Sequence, residues 1–200
     1  KVVEAWDYES KMITALYRMG VAMTYDQGLE YHMIPTTQLS PIEFSCQILN
    51  NGGQIQTGSN LSVDITGAGT FSDVSPNIDI AVGATDTFVV ASAFTPAAIG
   101  TYDVTMMANQ TNTDSDLSNN EYTYSFEVTE YTFGRDNGIE TGAISNVSSN
   151  DGLSMSIGNV MNIFTNGVIG AIDVKIGDDG ANAGKIFYAA IYQLNTAGDA

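Results

Sequence analysis

The 200-residue chain has one cysteine, one histidine and six Lys plus Arg, and each scarcity closes off a class of chemistry. A lone Cys46 forms no internal disulfide. In Pro41-Ile-Glu-Phe-Ser-Cys-Gln-Ile-Leu-Asn-Asn-Gly-Gly53 it shares the parity of Ile42, Phe44 and Ile48, the place of a small core hydrophobe and not of a nucleophile. His32 lies in Tyr31-His-Met-Ile-Pro35, an expected strand end. A Ser-His-Asp triad would depend on this one imidazole, and no Gly-x-Ser-x-Gly elbow accompanies it, so its expected role is structural. One His and one Cys at no ligand spacing do not make a zinc site. Gly67-Ala-Gly69 lacks the further glycine and the following helix of a nucleotide loop. With 23 acidic residues, a net charge of -17 and a pI near 4.1, the chain has no basic cluster to displace counterions from phosphate. Nucleic acid is therefore not an expected partner, and an anionic membrane surface is disfavoured. No apolar run approaches the ~20 residues of a spanning helix, so no membrane insertion is expected.

What is present is apolar and neutral-polar. Hydrophobic residues make up 44% and charged ones 14%, leaving a surface of Thr, Ser, Asn, Gln and Gly, a composition associated with extracellular β-proteins. A chain of this size buries roughly 70% of its unfolded surface, enough for a real core. The excess of acid is expected to serve solubility through self-repulsion, the alternative being recruitment of cations or a basic partner. The opening Lys-Val-Val-Glu-Ala-Trp is that expected of a mature protein or an excised fragment, and the closing Asn195-Thr-Ala-Gly-Asp-Ala200 reads as a turn, so a piece of something longer is expected.

From Pro41 onward the period is two, which predicts half-buried strands. In the first stretch Glu43, Ser45 and Gln47 point away from the apolar set, and Asn50-Asn-Gly-Gly53 supplies residues tolerant of positive φ for the reversal. Leu61, Val63 and Ile65 alternate with Ser62, Asp64 and Thr66. Ile78, Ile80 and Val82 follow, then Tyr102, Val104, Met106 and Ala108, and then Tyr122, Tyr124, Phe126 and Val128. Asp86 to Phe94 is apolar on both parities and fits a strand covered on both faces. Residues 7–20 admit two readings, a helix capped by Asp7 with Met12, Leu16 and Met19 on one face, or a strand from about Ile13 to Met23; the strand is preferred. Short, regularly punctuated strands point to a sandwich. In Ile99-Gly-Thr-Tyr-Asp-Val104, Tyr102 stands where such sandwiches place a tyrosine corner, its ring buried and its hydroxyl bonded back to the main chain.

Three stretches, Pro41 to Asn51, Pro96-Ala-Ala-Ile-Gly-Thr-Tyr-Asp-Val104 and Asp116-Leu-Ser-Asn-Asn-Glu121, together resemble the CARDB-type, fibronectin III-like immunoglobulin-fold domains of secreted surface proteins of the Bacteroidetes type. The resemblance covers about residues 12–130. It implies an extracellular or cell-surface module that spaces, presents or binds, often beside peptidases, glycanases or adhesive domains. Tyr131-Thr-Phe-Gly-Arg-Asp-Asn-Gly138 resembles the start of a jelly-roll module that follows such domains. The expected fold class is all-β, an immunoglobulin-like β-sandwich over 12–130 followed by a second, incomplete, jelly-roll-like β region over 131–200, with 1–11 a tail or the end of a preceding domain. In the second region Leu153, Met155 and Ile157 alternate, as do Ile172, Val174 and Ile176. Ile186 to Tyr192 is apolar on both sides and reads as a central strand. A jelly roll needs about eight strands, so the apolar face of residues 140–200 is expected to be covered by the first domain or by another chain.

Site candidates are sparse, and no enzyme activity is expected. A glycosidase needs two carboxylates about 5–9.5 Å apart, but Asp64, Asp79, Asp103 and Glu127 fall on outward parities. Calcium is the one cofactor the residues favour: Asp114, Asp116, Asn119, Asn120 and Glu121 gather oxygen donors in one loop, and Asp178, Asp179 and Asn182 in another, as a hard cation requires. Neither loop follows the EF-hand pattern, and Asx turns use the same residues without metal. Trp6, Tyr8, Tyr25 and Tyr31 are the loosely placed aromatics on which a glycan would stack. The function expected is a non-catalytic structural or interaction module of a larger secreted or surface protein, with neighbouring domains, a glycan or another surface protein as partners. The alternative is a glycan- or calcium-binding module attached to an adhesin or extracellular enzyme.

Overall fold

The computed structural model of the chain describes residues 6–19, 31–135, 158–175, 186 and 188–193. Among the described residues nine strands are formed: β1 (Ser10–Met19), β2 (Met33–Pro35), β3 (Ile42–Asn50), β4 (Gln56–Gly67), β5 (Phe71–Val74), β6 (Ile78–Ile80), β7 (Thr85–Val89), β8 (Gly100–Asn109) and β9 (Glu121–Thr129). Single turns of 3₁₀ helix occur at Thr36–Gln38 and Leu117–Asn119. Among the described residues no helix is long and apolar enough to cross a membrane.

The strands build an all-β sandwich. One sheet has the order β1-β3-β7 and the other β2-β9-β8-β4-β5, with β6 paired to β4. The ladders are antiparallel except β2 on β9, which is parallel. The alternation of the sequence becomes the wall between the sheets. Ile42, Phe44, Cys46 and Ile48 of β3 face Leu61, Val63 and Ile65 of β4 and Tyr102, Val104 and Met106 of β8, all buried. Side chains of successive residues point to opposite faces, so Glu43 and Gln47 are left in solvent.

Tyr102 is a tyrosine corner. Its ring stacks on Phe126 with centroids 5.0 Å apart, and its hydroxyl accepts from Ala98 N–H at 3.0 Å and donates to Ala98 carbonyl at 2.8 Å.

The preferred strand reading of residues 7–20 holds for 10–19, with the start moved from Ile13 to Ser10, and several other expectations are corrected. Pairing from Ser10 opposite Asn50 to Met19 opposite Ile42 supplies ladder bonds and burial that outweigh local helix propensity. The remainder of the expected strand, to Met23, lies outside the described residues. The strand expected across 86–94 is one-sided: β7 sits at a sheet edge, with Phe88 buried and Val89 half in solvent. Val82 is exposed in the turn after β6, and Tyr122 is 41% exposed at the start of β9, where it lines an open cleft with Met12 and Thr14 of β1. The Asn50–Gly53 turn uses no positive φ, which occurs only at Gly58, Gly67, Gly83 and Gly100 among the described residues. Gly52 is required for a different reason: a Cβ there would lie 2.7 Å from Asp7 O and 2.8 Å from Glu9 N.

In the second region Leu153, Met155, Ile157, Ile176 and Phe187 lie outside the described residues. Ile172 and Val174 are described, exposed and not in a strand. Among the described residues of the expected central strand none is in a strand, and Ile186, Tyr188, Ile191 and Tyr192 are all more than half exposed. A two-sided apolar pattern becomes a central strand only with neighbours to pair on both edges, and none of the nine strands runs beside it.

Candidate functional site

Register divides the sandwich into two ends. Ser10, Asn50, Asn109 and Glu121 mark one; Met19, Ile42, Gly67, Gly100 and Val128 mark the other.

At the first end the Asn50–Gly53 turn holds the segment that leads into β1. Gly53 and Gln54 N–H donate to Trp6 and Asp7 carbonyls at 2.8 and 2.9 Å, and Asn51 N–H donates to Glu9 carbonyl at 2.9 Å. Residues 6–9, set aside as a tail in the sequence, are thus bonded to the sandwich. Asn50 organises the turn from within: its Nδ2 donates to Gln54 and Ile80 carbonyls, and its Oδ1 accepts from Gly52 N–H at 3.0 Å. It is fully buried and fully partnered, as a buried amide must be.

The β8–β9 loop closes over this end. Asp114 Oδ2 accepts from Ser10 N–H at 2.8 Å and from Asn120 Nδ2 at 3.0 Å, while its Oδ1 accepts from Asp116 N–H at 3.0 Å. Asp116 caps the 3₁₀ turn by accepting from Ser118 N–H at 3.0 Å and Ser118 Oγ at 2.6 Å. Those two bonds, the hydroxyl first, hold its carboxyl below the usual carboxylate range. Asn119 Nδ2 donates to Glu9 Oε1 at 2.8 Å. Of the five residues grouped as calcium candidates, Asp114, Asn119 and Asn120 meet here; Asp116 serves its own turn, and Glu121 is exposed on β9. The structure adds Glu9, 0% exposed, which no local pattern in Glu4-Ala-Trp-Asp-Tyr-Glu-Ser10 marks. Among the described residues there is no group of three or more His, Cys, Asp or Glu able to hold a metal ion, so a cation here would be held by carboxylates and amides together. Asp178, Asp179 and Asn182 lie outside the described residues.

At the other end the chain segment 159–165 docks on the sandwich. Gln38 Oε1 accepts from Phe164 and Thr165 N–H at 2.8 and 3.2 Å, and its Nε2 donates to Thr165 carbonyl at 2.7 Å. Buried Arg135 donates to Val160 carbonyl at 2.6 Å and lies over the Tyr31 ring at 5.1 Å. Tyr31 is also buried, stacks on Phe133 and accepts from Asn162 N–H at 2.7 Å. It is a joint between segments and not a glycan platform. Of the other aromatic candidates Trp6 is half exposed, Tyr8 is half-buried and Tyr25 lies outside the described residues.

Two open clefts mark the surface of the sandwich. One of about 200 Å³ is lined by Met12, Thr14, Glu121 and Tyr122, and one of about 370 Å³ by Asp64, Thr66, Thr70 and Phe71. Each has a single carboxylate along its wall, whereas glycoside hydrolysis uses a facing pair. Cys46 is 2% exposed, and burial pushes its thiol up to about 12, which removes the thiolate a nucleophile needs. His32 immediately precedes β2, where its carbonyl accepts from Glu127 N–H at 2.8 Å.

No known protein family profile matches the chain, and no curated protein matches it. Among solved structures it is similar to a CARDB domain from Pyrococcus furiosus crystallised in complex with di-metal ions, with 14% identity, a TM-score of 0.42, and coverage of 64% of this chain and 95% of that one. The solution structure of the same domain gives 15% identity and a TM-score of 0.42, over 62% and 98% of the two chains. A β-glucosidase from Listeria innocua, in complex with glucose, gives 10% identity and a TM-score of 0.30, over 62% of this chain and 16% of that one. At these values the sandwich assignment stands on the strand order and core packing described above.

Proposed function

We propose that the chain is a non-catalytic spacer and presenting module of a larger secreted or cell-surface bacterial protein. The observation that supports this reading is where the flanking polypeptide attaches. Residues 6–9 are bonded at the Asn50 end of the sandwich, and residues 129–135, with the docked 159–165 segment, lie at the Ile42 end. The strands between are nine to twelve residues long in β1, β3, β4, β8 and β9, so the two attachments stand roughly 30 Å apart at about 3.3 Å per residue. A body whose ends are both anchored fixes a separation between neighbours, which needs no cleft. Its polar, acidic surface keeps such a module soluble, and its partners on this reading are neighbouring domains of the same polypeptide.

Spin labels at Trp6→Cys and Tyr131→Cys, in a Cys46→Ala background, test this by their distance distribution. A single narrow distance on the order of 30–40 Å is expected from the strand lengths. A broad distribution would overturn the rigid spacer. Turnover of chromogenic glycosides or peptides by the purified chain would overturn the non-catalytic reading.

A further inference from the structure

Several buried oxygens at the Asn50 end have no hydrogen-bond partner, among them Gln56 Oε1 and Ser59 Oγ of β4; three of them, Glu9 Oε2, Asn119 Oδ1 and Asn120 Oδ1, belong to the side chains that join β1 to the β8–β9 loop. Glu9 is 0% exposed and Asn120 3%. They belong to one connected group. Glu9 is joined to Asn119, Asn120 to Asp114, and Asp114 to the N–H of Ser10, the residue next to Glu9.

The identity of the amide atoms is fixed by chemistry. Asn119 and Asn120 each direct nitrogen at a carboxylate oxygen, of Glu9 and Asp114 respectively. Exchanging either amide would set oxygen against oxygen, so both Oδ1 atoms are acceptors facing away from those partners. Gln110, whose Oε1 accepts from Ser10 Oγ, leaves its Nε2 without a partner. A hydroxyl donates and accepts, so the exchanged Gln110 amide satisfies Ser10 equally and adds a further acceptor.

Buried acceptors without donors cost free energy, and a buried carboxylate costs more. One water supplies two donors, whereas a cation is a partner to several acceptor oxygens at once. Lys11, the basic residue nearest in sequence, is exposed. Oxygen-only donors mixing carboxylate and amide suit a hard cation, and calcium tolerates irregular, partly hydrated geometry where magnesium does not.

We propose that Glu9, Asn119 and Asn120, with Asp114 bracing them, form a calcium site that ties the start of β1 to the β8–β9 loop. The site excludes Asp116 and Glu121. It is independent of the spacer role, since the sandwich holds its ends apart with or without it.

The test is a calcium titration of the full chain after chelator treatment, followed by calorimetry and thermal unfolding. With the ~0.1–1 mM dissociation constant of extracellular modules, about 10 mM calcium raises Tm by about 3–10 °C, and magnesium raises it less. Glu9→Gln abolishes the calcium shift, whereas Glu121→Gln keeps it. Two-dimensional NMR of the unmodified chain provides a readout that does not depend on a variant folding: calcium moves the Ser10 amide and the Asn119 and Asn120 side-chain NH2 signals. No heat and no Tm shift overturns the proposal. So does a Glu9→Gln chain that is more stable than the parent without calcium and still responds to it, because calcium then binds without the Glu9 carboxylate. Signal changes confined to Asp116 and Glu121 overturn it as well.

Discussion

The Tyr102 hydroxyl and the main chain of Ala98, four residues upstream, form a closed pair: the hydroxyl accepts Ala98 N–H at 3.0 Å and donates to Ala98 carbonyl at 2.8 Å. The same oxygen accepts from Ala97 N–H at 3.3 Å. The pair pins the approach to β8, and the ring beneath it is stacked on Phe126 and tilted against Phe94.

Tyr102→Phe keeps the ring and removes the three bonds. Ala97 and Ala98 are exposed, so their main-chain groups recover water as partner. The expected loss is about 1–2 kcal/mol of unfolding free energy, read as a lower urea midpoint at unchanged slope. An unchanged midpoint would mean the corner contributes nothing.

Gly52→Ala forces a methyl against two main-chain atoms of the 7–9 segment. Main chain in a strand approach does not step aside cheaply, and the expected cost is about 1–3 kcal/mol. Hydrogen exchange should quicken at the Gly53 and Gln54 amides, which bond Trp6 and Asp7. Gly53→Ala is the control: its Cβ would meet Trp6 O at an ordinary 3.5 Å, and its effect should stay within about 0.5 kcal/mol.

Cys46 should be silent toward thiol reagents in the native chain at pH 8 and react fully in urea. Its thiol is raised to about 12 when folded against about 8.5 when unfolded. Above pH 8.5 the unfolded state therefore loses a proton that the folded state keeps, so stability falls as pH rises. The slope approaches about 1.4 kcal/mol per pH unit between the two values. Cys46→Ala should flatten that limb in urea melts across pH 8–11; an identical slope in both chains would contradict the assignment.

Asp116 should titrate below the usual carboxylate range, with the Ser118 hydroxyl as the largest cause. A depressed folded value means a contribution that is present above the unfolded pKa and lost as pH falls through the folded one. Carbonyl-detected NMR should find its midpoint shifted upward in Ser118→Ala. A midpoint that does not move would assign the depression to the Ser118 N–H alone.

Much of the sandwich was legible in the sequence because its signals are local. Alternation in Ile42–Ile48, Leu61–Ile65 and Tyr102–Ala108 follows from the two-residue period of a strand with one wet face, and the corner at Tyr102 follows from a tyrosine placed just after a turn. The burial of Cys46 follows from the same parity. The candidate cation group was half legible: Asp114, Asn119 and Asn120 share a loop, so spacing alone gathers them.

What only the tertiary structure decided is where elements end and who their neighbours are. Parity does not reveal that Tyr122 faces an open cleft, that β7 is an edge, or that the described residues of the apolar run, 186 and 188–192, have no strand beside them. Glycine at position 52 looked like a residue chosen for φ, but its reason is a main chain 2.7 Å away that comes from another part of the sequence. Glu9 stands 110 residues from its partner Asn119. The sequence by itself determined a β-sandwich with one dry wall, because side-chain alternation is a property of each strand alone. Folding decided which carboxylate is buried and which oxygens are left without donors, because burial and hydrogen-bond partnership belong to pairs of segments that meet only in three dimensions.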